Sequence, residues 1–303
     1  MKLKGVIVIV RLPFLILALI LGILGASLAW YEHQVYGDVA FNLGYAFIAG
    51  FGLISAHASV NIWNDFFDAR SKLDYRITRT PFSGGSGAIP GGLLTQRQAM
   101  WLGIITAAIA SAVGIFFCIV SGWLLLPLIA VAGIIVLIYT PFILKTPYPE
   151  WSAGLGLGVL PVIGAYFVQT GVYHATALIA SIPSGLLVHN LLLFNEFSDA
   201  EADKTVKRRT LPIIAGKKFA AIFYSVFNLF TYLWIIAWVI AGQMPVWSLL
   251  ALLTLPFAFR AIKGAFQYDD LKKLIPAQGI NVLVVLLTQL FMAIGFIVAG
   301  AMK

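Results

Sequence analysis

Charge is scarce in this chain, and so are the side chains that most often build a soluble active site. Of 303 residues, 12 are acidic, 20 are basic and four are histidine, while 61% are hydrophobic. A mean hydropathy of +0.95 excludes a water-soluble globular domain and a disordered chain alike. The one cysteine, Cys118, lies inside an apolar run, which excludes a disulfide framework and a cysteine metal site.

What abounds is apolar sequence in runs of about 20 residues, the length that crosses ~30 Å of hydrocarbon. The runs recur along the whole chain, so a cleavable signal peptide does not explain them. The pattern predicts an all-α, polytopic membrane protein with about nine spans: Leu12–Trp30, Phe41–Trp63, Gln98–Val120, Trp123–Phe142, Trp151–Thr170, Thr176–Phe194, Phe219–Ile240, Trp247–Phe266 and Gln278–Ala301. Only Ser121-Gly122 parts the third span from the fourth, so eight or ten are the alternatives.

With the N-terminus in the cytoplasm, nine spans place every lysine and arginine except Lys303 on the cytoplasmic side and the C-terminus outside. That asymmetry accounts for most of the net charge of +8, leaving no reason to invoke nucleic acid. Membrane lipids are the expected surroundings, with anionic headgroups as incidental partners.

The chain is expected to form a single domain, 1–303. Its external loops are short and nearly uncharged apart from Glu32 and Asp38 in the first. Two cytoplasmic loops are long, 64–97 and 195–218, and each opens with acidic residues before turning basic. They lie four spans apart, which predicts two parallel four-helix halves plus one added helix. Within the first loop, "PFSGGSGAIPGG" (Pro81 to Gly92) is too rich in glycine, serine and proline to span; it reads as a flap or re-entrant turn, with a plain linker as the alternative.

Asn61, Asn64, Asp65 and Asp68 recur at three- and four-residue spacing and share one helix face; Asn195, Asp199 and Asp203 do the same on the sixth span. Carboxylates stacked this way repel each other and call for a cation. Carboxylate and amide oxygens, with no thiolate or histidine in either stripe, suit a hard ion such as Mg²⁺. Cations follow each stripe: Lys72, Arg76 and Arg79 after the first, Lys204, Lys207, Arg208 and Arg209 after the second, with Lys145 between. Metal ligands and cations together suit a diphosphate. A mere solvated face would not be expected twice with the same composition.

A diphosphate at the surface of an apolar bundle implies a lipid diphosphate, and a polyprenyl chain fits. The 22 Phe, 11 Tyr and 8 Trp and the small residues of "GLGLGV" (Gly154 to Val159) allow a tail to lie among the helices, although they serve ordinary membrane packing equally well. Stabilising the diphosphate leaving group would ionise the allylic C–O bond, and an aromatic ring carbon is the natural acceptor.

These residues resemble the UbiA superfamily of intramembrane prenyltransferases. Its N-D-x-x-D motif is matched by Asn64, Asp65 and Asp68, with Asp74 beyond; the family's common third aspartate would fall at 72, where this chain has Lys72. Its D-x-x-x-D motif is matched by Asp199 and Asp203, one turn after Asn195. "YTPFILK" (Tyr139 to Lys145) and Arg11 are similar to the family's diphosphate-binding residues. "KRRTLP" (Lys207 to Pro212) and the loop ending "GGLLT" resemble the menaquinone-type enzymes that act on dihydroxynaphthoate, and the N-R-P stretch of the 4-hydroxybenzoate and geranylgeranylglyceryl phosphate enzymes is missing.

The resemblance implies prenyl transfer from a polyprenyl diphosphate to an aromatic acceptor, dependent on Mg²⁺ and most simply on two ions, in a polar site open to the cytoplasm above an apolar tunnel. Asn64, Asp65, Asp68, Asn195, Asp199 and Asp203 would face metal. Arg11, Asn61, Lys72, Arg76, Lys207 and Arg208 would bind substrate. Lys145 and Tyr139 would join Asp68, Asp199 and Asp203 in catalysis. His57 and His189, one to two turns before the motifs, either shape an acceptor pocket or are core residues.

The alternatives are geranylgeranyl transfer to a glyceryl phosphate, a CDP-alcohol phosphotransferase suggested by "DFFDAR", and a transporter. A phosphotransferase needs its second acidic pair on the next helix, and a transporter its carboxylates at mid-membrane; neither pattern is present. Tail length, the proton acceptor and oligomeric state leave no signal in the sequence.

Overall fold

The computed structural model of the protein describes residues 3–37, 41–75, 77 and 79–303. All regular elements among them are helical. A short N-terminal helix, α1 (Leu3–Ile9), leads into α2 (Leu12–Tyr36), α3 (Leu43–Arg70), α4 (Gln96–Val120), α5 (Trp123–Ile138), α6 (Glu150–Thr170), α7 (Ala175–Lys204), α8 (Lys217–Ile240), α9 (Val246–Ala265) and α10 (Leu271–Ala301). Eight of these are long and apolar enough to cross a bilayer, and α5 is a shorter apolar ninth. Among the described residues eight of the nine expected spans are thus full-length helices and the fourth is shorter than expected, and the protein is a multi-pass integral membrane protein.

The helices begin and end where local chemistry requires. Asn42 caps α3 by accepting from the Tyr45 amide at 3.3 Å, and Thr95 and Gln98 form a reciprocal capping box at the start of α4. Gly122, at φ 126°, makes the break between α4 and α5 that an L-residue would resist. Two helices run well beyond their apolar runs: α3 continues to Arg70 and α7 to Lys204, so each acidic stripe rides on a polar extension of a spanning helix, both at the same end of the bundle.

Neighbours in sequence pack side by side from α2 round to α10, which closes the ring on α2, while α6 fills the middle against α2 and α7. Where α6 meets α7 the backbones nearly touch. The "GLGLGV" segment is a π-helical turn, and a Cβ on Gly158 would lie 2.6 Å from the Cα of Gly185. Replacing Gly158 by Ala should cost about 1–3 kcal/mol of stability by forcing α6 off α7. Gly133→Ala, where nothing lies within 4 Å, should leave the melting temperature in detergent unchanged.

The end of the bundle opposite the acidic stripes differs from expectation at one residue. Glu32 is not in a loop but in the last turns of α2, where it is buried, accepts the Tyr166 hydroxyl and lies 3.4 Å from His174. Burial of a carboxylate at a helix end requires such partners. Asp38 lies outside the described residues.

Candidate active site

A cavity of about 440 Å³ runs between α3, α4, α5, α6 and α7. Its apolar length exists because the surrounding helices turn small residues inward, among them Gly52, Ala107, Ala110, Gly114, Gly133 and Gly164. One end is polar, and there the extensions of α3 and α7 meet: Asn64, Asp68, Asn195, Asp199 and Asp203 all line it, together with Tyr139 and Arg208.

Arg208 joins the two stripes. One guanidinium nitrogen donates to Asp203 at 2.9 Å and the other pairs with Asp68 on the facing helix. The group is only 11% exposed. Burial works against its charge, but Asp68 and Asp203 outweigh that and raise its pKa above the ordinary arginine value. Arg11 plays a similar part at the edge of the site. Its Nη2 donates to Asp65 at 2.7 Å and to Asn64 at 3.0 Å.

The glycine-rich segment is not a plain linker. It folds back over the acidic stripes as a flap, donating from Gly84 N to Asp199 at 3.2 Å and from Ser86 N and Oγ to Asp65. Gly85, at φ 74°, passes so close to Asp74 that a Cβ there would lie 2.6 Å from its Oδ1.

Not every expected residue reaches the cavity. Lys72, Lys145 and Lys207 are exposed and do not line it. Lys72 and Lys207 sit at φ 62° and 63°, just where α3 and α7 have ended, so the helical phase that aimed them inward is broken. Lys145 ends a 3₁₀ turn that points it to the surface. Arg76 lies outside the described residues. Asp65 is 1% exposed but turns away from the cavity toward Arg11 and Ser86. Asn61 lines the cavity, with its amide tied to the Val10 carbonyl at 3.0 Å. His57 also lines the cavity; His189 does not, and bonds Tyr148 in the helical core at 2.8 Å.

Asp74, which follows the first motif in the sequence, and Glu196, which the sequence reading left out, complete the polar end. Asp74 returns on the 3₁₀ turn Leu73–Tyr75 and is 3% exposed, with Arg79 donating to its carbonyl at 3.0 Å. Glu196 is buried on α7, and its i, i+3, i+7 spacing with Asp199 and Asp203 was visible in the sequence.

Burial, and then the neighbouring Asp65 and Asp68 carboxylates, push Asp74 from its ordinary 3.8 up to about 7. The folded chain therefore holds a proton there that the unfolded chain has lost, and stability of the metal-free protein falls as pH climbs through that window. Metal-free protein should melt at higher temperature near about pH 5 than near about pH 8. Asp74→Asn should flatten that slope, and Mg²⁺, which needs the ionised form, should reverse it; differential scanning fluorimetry in detergent reads all three.

The donor set fits a hard cation. Asp74 Oδ2, Asn195 Oδ1 and Asp199 Oδ1 are buried oxygens with no hydrogen-bond partner, drawn from two segments, the turn after α3 and α7, at the same end of the cavity. Among the described residues no three of His, Cys, Asp or Glu form a ready-made cage. Arg208 supplies positive charge between the stripes instead.

Residues 18–283 match the sequence model of the UbiA prenyltransferase family. The 1,4-dihydroxy-2-naphthoate octaprenyltransferase of Bacillus subtilis is 29% identical over 223 residues, 72% of this chain and 70% of that protein. The digeranylgeranylglyceryl phosphate synthase of Pyrococcus furiosus is 27% identical over 260 residues, 81% of this chain and 79% of that one. Among solved structures, the apo form of a UbiA homolog from Aeropyrum pernix K1 covers 94% of this chain and 98% of its own at a TM-score of 0.73 and 18% identity. A UbiA homolog from Archaeoglobus fulgidus bound to GPP and Mg²⁺ covers 97% and 99% at 0.60 and 15%. At such identities the likeness is one of fold.

Proposed function

The chain belongs to the UbiA prenyltransferase family and is therefore a membrane-embedded prenyltransferase, and from that premise we propose that it moves a polyprenyl group from its diphosphate to an aromatic, naphthoate-like acceptor with Mg²⁺ as cofactor. The observation that carries this reading is the meeting of two acidic stripes around Arg208 at the polar mouth of a long apolar cavity.

Asn64, Asp68, Asp74, Asn195, Asp199 and Asp203 would hold Mg²⁺, with Asp74 taking the position that Lys72 leaves empty. When bound, the ion withdraws charge from the diphosphate leaving group. Arg208 shares that charge, and Tyr139 stands beside the same mouth as a hydrogen-bond donor. The apolar walls below keep water from the allylic cation while the ring attacks. Lys145, Lys72 and Lys207, all exposed, would attract the diphosphate from the cytoplasmic surface rather than touch it. The distribution of lysine and arginine supports a cytoplasmic N-terminus and an external C-terminus.

The test is a product screen by mass spectrometry. Purified protein with Mg²⁺ and geranylgeranyl diphosphate is offered 1,4-dihydroxy-2-naphthoate, 4-hydroxybenzoate and geranylgeranylglyceryl phosphate in parallel. A prenylated naphthoate product, lost on chelation of Mg²⁺, is expected; product from the glyceryl phosphate alone would replace the aromatic reading.

A further inference from the structure

Beside the main cavity lies a second one of about 100 Å³, enclosed by α2, α3, α6, α7 and α10 and covered by Phe82 of the flap. The two share Arg11, His57, Asn61 and Asn195, so the smaller space is a side chamber of the reaction site. Its remaining walls are apolar, with Phe14, Leu157, Leu191 and Val285 among them.

Two buried polar atoms in this shared lining have no partner and are not among the oxygens that suit the cation: Arg11 Nε and His57 Nδ1. An unpaired polar atom inside a membrane bundle is costly, and two beside one small chamber mark the outline of a polar ligand. Arg11 is oriented for two tasks. Its Nη2 holds Asn64 and Asp65, while Nε is left without a partner. His57 is 6% exposed and lies one turn before Asn61.

Size narrows the choice. A cavity of about 150 Å³ takes one benzene ring. The chamber therefore accepts the oxygen-bearing edge of an arene, not a whole bicycle and not a prenyl tail, and leaves the reacting carbon in the main cavity. Resting on the aromatic reading above, we propose that this side chamber binds the hydroxyl- and carboxylate-bearing edge of the acceptor, with His57 Nδ1 bonding the phenolic hydroxyl and Arg11 Nε the carboxylate. His57 is thus a specificity-determining residue for the acceptor.

The test uses the full chain in detergent, with His57→Leu and His57→Asn. Leu removes the polar atom at similar bulk, while Asn keeps one near the position of Nδ1. His57→Leu is expected to raise the KM for 1,4-dihydroxy-2-naphthoate about tenfold or more, with the KM for geranylgeranyl diphosphate unchanged. Tryptophan fluorescence should show that it weakens binding of the dihydroxy compound but not of 2-naphthoate, which lacks the hydroxyls, and His57→Asn should restore most of the loss. An unchanged acceptor KM in His57→Leu, or both KM values rising together, overturns the assignment. Wild-type protein that prenylates only the glyceryl phosphate overturns the aromatic reading itself, a result seen before any variant is made.

Discussion

Asp68→Ala and Asp199→Ala are each expected to lower prenyl transfer by about 10³-fold, read as diphosphate released from geranylgeranyl diphosphate, while the protein remains folded and extractable. Both carboxylates line the polar mouth from opposite helices, and one oxygen of Asp199 has no partner in the metal-free fold. Removing either withdraws charge needed only once the leaving group develops its own, so kcat should fall far more than substrate binding. Asp65→Ala should behave differently. That side chain faces away from the cavity, and its loss leaves the half-buried Arg11 with only the neutral Asn64 amide as a partner, so the expected cost is to stability and only secondarily to rate. Activity above a tenth of wild type in Asp68→Ala would place the metal elsewhere.

Arg208→Ala carries the second large effect, on stability as well as turnover. The guanidinium is the common partner of Asp68 and Asp203, both buried. Taking one partner out of a buried charge network typically costs about 3–5 kcal/mol, because the remaining charges face each other in a medium that does not screen them. Mg²⁺ can occupy the same space between the stripes, so it should raise the melting temperature of Arg208→Ala more than that of wild type. Arg208→Lys should rescue little, since one ammonium cannot span two carboxylates on different helices as a planar fork does. Equal Mg²⁺ responses in variant and wild type would mean that the cation does not bind between the stripes.

The spans were legible because membrane helices announce themselves in composition, and the stripes because carboxylates at helical spacing stay on one face for as long as the helix lasts. Asn64, Asp68, Asn195, Asp199 and Asp203 meet at the cavity for that reason. The basic residues were less legible because they come after the helices end. One left-handed residue at Lys72, and another at Lys207, resets the direction of everything beyond. The first reset sends Lys72 to solvent and brings Asp74 back over the site, and the second brings Arg208 inward where Lys207 was expected beside it. The flap followed a different logic. Its glycines were visible, but that Gly84 and Ser86 would each reach a different stripe depends on a fold-back of the chain that no local pattern encodes.

The short helix α5 bears on the lipid as much as on the protein. At 1.5 Å per residue, Trp123–Ile138 spans about 24 Å against ~30 Å of hydrocarbon, and its neighbours α4 and α6 are longer. Hydrophobic mismatch of this kind is relieved by local thinning of the bilayer, at a fraction of a kcal/mol per Å. Because α5 is also a wall of the cavity, such thinning would fall beside the apolar space open to a prenyl tail, and bilayer thickness would bear on that space from outside the polypeptide.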